Sequence, residues 1–210
     1  MPARIAWIKA ALFILCLGPL ARLVVGAFAR TLGANPIEAI THSTGSWTLN
    51  FLLITLSVTP LRRFTGWNWL LRLRRMLGLY AFFYAVLHFI TYVWLDQFFD
   101  VAAMVKDVIK RPFITVGFSC FLSLLPLAAT STNAMVKRLG AGNWLALHRL
   151  AYAAAIGGVV HFWWLVKRDI TEPAIYAAAL VLLLGLRLLW FARERAAPAP
   201  AGRPARQRAP

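Results

Sequence analysis

Apolar residues along the chain gather into six blocks separated by short polar or basic stretches. The blocks cover residues 5–29, 46–60, 76–95, 113–129, 144–166 and 173–191. None alternates with the period of two of a barrel strand, and all are too long for one, so each predicts an α-helix. Crossing the hydrocarbon takes about 20 residues. The second and fourth blocks are shorter, so they are expected to extend into their flanks or to sit in thinned bilayer. The pattern predicts an all-α membrane protein, a bundle of six transmembrane helices over residues 1–192. The segment 193–210, rich in Pro, Ala and Arg, is expected to be a disordered basic tail in the cytoplasm, free or touching anionic lipid.

Composition agrees with this reading. The chain is 60% hydrophobic and only 14% charged, against about 25% charged in soluble domains. A net charge of +16 would suit a nucleic-acid binder, but the basic residues lie in clusters between apolar blocks. That arrangement orients a membrane protein and calls for lipid, not nucleic acid, as the partner. With both termini cytoplasmic, Arg4, Lys9, Arg62, Arg63, Arg72, Arg74, Arg75, Lys137, Arg138 and the arginines after 191 fall inside. Arg30, Lys106, Lys110, Arg111, Lys167 and Arg168 fall outside, with most of the acids. The nine tryptophans fall in loops or near block ends, as an interfacial belt would. Ala27-Phe28-Ala29 resembles a signal-peptide cleavage site, but the apolar region before it is long and holds Pro19 and Arg22, which favours a retained span. Cys16 and Cys120 are expected to be buried packing residues, since no C-x-x-C spacing occurs.

The histidines change the picture. The chain has four, and His88, His148 and His161 fall inside predicted spans, where ionisable residues are functional candidates by default. At about 1.5 Å per residue, His88 lies roughly 18 Å along the third span, and His148 and His161 roughly 6 and 25 Å along the fifth. His88 and His161 thus share a depth near the outer face, whereas His148 sits near the inner one. Two imidazoles facing each other across a bundle suit the axial positions of a haem, with Gly78, Gly157 and Gly158 offering close approach to a porphyrin. The bland alternative is neutral histidines hydrogen-bonded to neighbouring spans. Thirteen residues turn an ideal helix by about 220°, so either the fifth helix bends or twists, with the glycine pair as the expected place, or only one of His148 and His161 is a haem ligand.

The histidine pattern resembles the ferric reductase-like transmembrane domain shared with NADPH oxidases. More finely, NPIEAITHSTG (35–45), TLSVTPLRR (55–63), RRMLGLYAFFYAVLH (74–88), KRPFITVG (110–117), TSTNAMVKRLG (130–140) and WLALHRLAY (144–152) resemble the MsrQ (YedZ) family, the haem-binding membrane subunits of bacterial MsrPQ systems. The resemblance covers about residues 1–192. It implies a bundle in which His88 and His161 hold an outer haem b through its iron, and in which His148 is one ligand of an inner haem. The second inner ligand is expected near position 74, where this chain has Arg74. His148 then holds a five-coordinate haem, finds another partner, or serves a flavin or quinone site. The resemblance also implies one or two haems b, FMN, and location in the bacterial inner membrane. Electrons would pass from the quinol pool, or from a cytosolic flavin reductase, to MsrP, a periplasmic molybdopterin enzyme that reduces methionine sulfoxide.

Beside the histidines, Arg149 either pairs with a haem propionate or flavin phosphate or snorkels to the interface. The run LRLRR ending in Arg74 and Arg75 is chiefly an orienting signal, or else an FMN phosphate site. His42 is expected in a solvated loop, with Ser43, Thr44 or Ser46 capping the second helix, or else to dock the periplasmic partner or line a quinone site. No loop is long enough for a nucleotide-binding domain, so an external donor is implied. Two other functions fit the same residues: a small transporter using the histidines as a proton relay, and a free-standing ferric reductase.

Overall fold

The computed structural model describes residues 3–166 and 168–196. Among the described residues, five helical stretches are long and apolar enough to cross a membrane: Ile5–Phe28, Asn68–Asp96, Pro112–Ala129, Ala141–Leu165 and Thr171–Ala196. They coincide with five of the six predicted blocks. The remaining block lies within α2 (Pro36–Thr65), 30 residues long and therefore roughly 45 Å from end to end. Its length suffices for a span, but Thr, Ser and Asn side chains dilute its apolar character.

The chain order is α1 (Ala3–Phe28), α2, a 3₁₀ turn (Asn68–Leu70), α3 (Leu71–Ile90), a π-helical turn (Thr91–Asp96), α4 (Val101–Lys110), α5 (Pro112–Ala129), α6 (Asn133–Leu139), α7 (Ala141–Leu147), α8 (Leu150–Leu165) and α9 (Thr171–Ala196). α9 runs through Arg193 and Arg195, so the first residues of the expected tail are helical. Residues 197–210 lie outside the described residues.

Three local expectations are corrected. First, the second block extends into its flank as expected, but far enough that α2 starts at Pro36. Asn35 caps it, with Oδ1 accepting from the Glu38 N–H at 3.3 Å and Nδ2 donating to the Glu38 carboxylate at 3.1 Å. Pro36 at the first helical position completes a strong start signal. His42 is therefore helical, and Thr44 caps nothing: its hydroxyl donates to the Ile40 carbonyl at 2.8 Å. Second, the fifth block breaks at His148–Arg149, between α7 and α8, and not at the glycine pair. Third, Trp47 lies well inside α2 and not near a helix end, and it packs against Phe51 and Tyr84.

The core forms where α2 lies against α3 and α5 against α8. In lipid, close packing and hydrogen bonds hold helices together, because the surroundings are as apolar as the side chains. Both are visible. Phe51 stacks on Tyr80 and Tyr84 with ring centroids 5.5 and 5.3 Å apart. A β-carbon on Gly157 would stand 2.5 Å from the Cys120 sulfur, and one on Gly158 would stand 2.8 Å from Leu49. These glycines thus serve helix packing, and Gly78 likewise faces a side chain, Thr55. Both cysteines are free thiols, Cys16 buried and Cys120 partly so.

Buried polar groups are joined across helices. The Tyr84 hydroxyl, fully buried, donates to the Cys16 carbonyl at 2.9 Å and accepts from the Leu20 N–H at 3.1 Å. These are the two groups that an unbroken helix joins directly, so the phenol is inserted into the α1 ladder beside Pro19. Arg187 faces the bundle: its guanidinium donates to the Tyr152 hydroxyl and to the Leu56 carbonyl of α2.

Candidate functional site

His88 occupies the last turn of α3, and His161 lies in the corresponding stretch of α8. The two rings face each other with centroids 6.3 Å apart and planes at 75°. The depth arithmetic anticipated their meeting. The structure adds how each ring is held. His88 Nδ1 lies 3.0 Å from the Thr41 carbonyl, with the Thr44 hydroxyl at 3.4 Å. His161 Nδ1 lies 2.6 Å from the Phe113 carbonyl. A carbonyl only accepts, so each Nδ1 carries the proton and donates it. The Nε2 atoms are then unprotonated lone-pair donors, and neither makes a hydrogen bond among the described residues. Metal-binding imidazoles are oriented in this way, by a backbone carbonyl on the far nitrogen.

Two glycines make room for the rings. A β-carbon on Gly45 of α2 would stand 3.0 Å from His88 Cε1, and one on Gly117 of α5 would stand 2.8 Å from His161 Cε1 and Nδ1. Each imidazole therefore lies against bare backbone of the neighbouring helix. Sequence reasoning missed both glycines as site residues, although they close the motifs THSTG and KRPFITVG.

The pair lines a cavity of about 520 Å³ walled mainly by apolar residues, among them Leu49, Leu52, Phe89, Phe118 and Phe121. That size lies within the usual range for small-molecule and cofactor sites. Polar groups also line it: Asn35, Glu38, His42, Asp96 and Arg111. His42 is exposed there, one face of α2 carrying it along with Thr41 and Gly45. The buried Tyr92 hydroxyl, on the π-helical turn after α3, lies beside Asp107 without a hydrogen bond to any described residue. Among the described residues no three His, Cys, Asp or Glu side chains converge on one point. The histidine pair thus suits a metal that brings its own equatorial ligands, not a protein-only cage.

A fit test follows from bond lengths. Imidazole nitrogen binds a first-row metal at about 2.0 Å, so two imidazoles that share one ion stand with ring centroids about 6 Å apart. The observed centroid separation matches, and the residues present fit a haem iron.

His148 is not part of this arrangement. It ends α7 at the opposite end of the bundle, stacked on Trp144 with centroids 3.9 Å apart. Its Nε2 lies 3.1 Å from the Thr130 hydroxyl, which itself donates to the Pro126 carbonyl, so Nε2 carries a proton and donates it. Arg74 and Arg75 lie within electrostatic range of the ring. Arg75 bonds Asn133 at 2.8 Å, and Arg149 is exposed where α8 begins. The arginines expected near a cofactor therefore gather around His148 and away from the cavity.

Residues 43–159 match the family described as ferric reductase like transmembrane component. The chain is 56% identical over 196 residues to the protein-methionine-sulfoxide reductase heme-binding subunit MsrQ of Herminiimonas arsenicoxydans, covering 92% of this chain and 90% of that relative. The proteins of the same name from Azospira oryzae and Ralstonia nicotianae are 57% and 53% identical over 189 and 203 residues. The first alignment covers 90% of this chain and 81% of the relative, the second 96% and 94%.

Proposed function

Because the chain belongs to the MsrQ family of ferric reductase-like transmembrane proteins, we propose that it is the haem-binding, electron-carrying membrane subunit of a methionine sulfoxide reductase system. One observation carries this reading: the His88 and His161 rings lie with centroids 6.3 Å apart and both Nδ1 atoms committed to carbonyls, which leaves two Nε2 atoms that would hold the iron. Haem b, when bound there, supplies one-electron transfer at its iron. The chain's own residues do the rest. The Thr41 and Phe113 carbonyls fix the tautomers, Gly45 and Gly117 admit the rings, and phenylalanines wall the cavity around them.

In the assembled system the donor is the quinol pool or a cytosolic flavin reductase, and the acceptor is the periplasmic reductase MsrP. Substrate chemistry belongs to that partner. FMN is assigned to the arginine-rich end, with Arg74, Arg75 and Arg149 as phosphate ligands and His148 beside them. The protein lies in the inner membrane with α2 as a sixth span and both termini cytoplasmic. Supporting the sixth span, the Thr44 and Thr48 hydroxyls of α2 donate to its own backbone, and Asn50 accepts from Tyr176. The proton-relay reading loses support from the separation of His148 from the other two.

The test is a reduced-minus-oxidised visible spectrum of the purified full chain, followed by addition of MsrP or a ferric chelate to the reduced protein. Cytochrome b bands that MsrP reoxidises are the expected result. Absence of bands sinks the haem reading, and reoxidation by iron alone favours a free-standing ferric reductase.

A further inference from the structure

Helix α4 is the least explained element of the fold, and none of its residues is buried. It is tethered to the ends of two membrane-spanning helices, following the π-helical turn that closes at Asp96 and preceding α5 by the single residue Arg111. Successive residues advance by about 100°, which divides α4 into three stripes. Ala103, Met104, Asp107 and Val108 turn toward the protein and are partly covered. Asp107 accepts from Gln97 and pairs with Arg111, while Val108 and Arg111 line the histidine cavity. Val101, Val105 and Ile109 form an apolar stripe, 66%, 53% and 77% exposed. Ala102, Lys106 and Lys110 form the third stripe, also exposed.

The turn before α4 exposes more apolar surface. Phe98 and Phe99 both have positive φ, 49° and 63°, a strained conformation for bulky residues. Both rings remain exposed, as does Trp94 on the π-helical turn.

We propose that α4 and the Phe98–Phe99 turn form an interfacial membrane anchor that takes the surface of an anionic bilayer as its partner. The apolar stripe enters the acyl boundary and Lys106 and Lys110 lie among the headgroup phosphates, the arrangement of a helix lying in the interface plane. The stripes decide between a bilayer and a protein. A protein-docking patch has an apolar centre with a polar rim around it. Here the apolar stripe and the stripe that ends in Lys106 and Lys110 lie side by side, a one-directional gradient that matches a flat boundary between hydrocarbon and water. Tethering to span ends holds the helix at that boundary. Since Val108 and Arg111 line the histidine cavity, the anchor also fixes one wall of the site against the membrane surface.

Spin labels at Val105→Cys, Ile109→Cys and Lys106→Cys, in a Cys16→Ala/Cys120→Ala chain reconstituted in anionic nanodiscs, test this. Labels at 105 and 109 are expected to show severalfold higher oxygen-to-nickel-chelate accessibility than the label at 106. Equal nickel access at all three overturns the proposal. Shielding that appears only when the periplasmic reductase is added also overturns it, in favour of protein docking. A label-free arm uses the otherwise native chain: amide exchange over 98–110 is expected to quicken severalfold in Lys106→Glu/Lys110→Glu in anionic nanodiscs, with little change in zwitterionic ones. No difference between the lipids removes the anionic assignment.

Discussion

A β-carbon on Gly117 would stand 2.8 Å from the imidazole of His161, closer than side-chain contacts allow. Gly117→Ala must therefore push the ring off its carbonyl anchor at Phe113 or spread α5 from α8. Overpacking of this kind costs about 1–3 kcal/mol, equivalent to roughly 5- to 150-fold weaker cofactor binding. Gly45→Ala meets His88 at 3.0 Å and is expected to fall at the mild end of that range. Haem per chain by pyridine haemochrome, with helix content by circular dichroism, checks both.

The 75° angle between the His88 and His161 planes predicts a spectroscopic signature. Crossed axial imidazoles leave the two iron orbitals that they overlap nearly equal in energy. Oxidised protein is then expected to show a strongly anisotropic low-spin electron paramagnetic resonance signal. A rhombic signal of the kind given by parallel ligand planes would contradict the ring orientation.

Tyr84→Phe removes the hydroxyl that bridges Leu20 and Cys16 within α1. Each such hydrogen bond contributes about 0.5–1.5 kcal/mol net, and the two backbone groups can pair with each other only if α1 tightens around Pro19. The variant is expected to unfold at lower temperature while keeping its haem under mild conditions. Thermal unfolding followed separately by circular dichroism and by haem absorbance checks this.

His148→Ala is expected to leave the low-spin spectrum intact, because His148 donates to Thr130 and lies at the far end of the bundle from His88 and His161. Any loss should appear in bound flavin or in a second, minor haem fraction. Flavin and haem quantified per chain distinguish these outcomes.

Much of this fold was legible in the sequence because membrane spans announce themselves by length and apolarity. The His88–His161 meeting followed from counting residues along two helices, since rise per residue is nearly constant. What remained hidden depended on packing. Gly45 and Gly117 acquire meaning only when a neighbouring helix brings an imidazole onto them. The break at His148 has no glycine or proline to mark it, so the fifth block reads as one helix. The early start of α2 was written in Asn35, Pro36 and Glu38, but the polar residues after them masked a helix that continues into an apolar block. Stripes on α4 were equally present in the sequence, hidden by its shortness and its position between spans.

The most direct test of the central claim is the low-spin haem spectrum of His88→Ala and His161→Ala, each purified as the full chain beside the native protein. Each variant loses one axial nitrogen, so both are expected to lose the low-spin haem that His88 and His161 share. Native haem content with an unchanged low-spin spectrum in either variant would contradict the pairing.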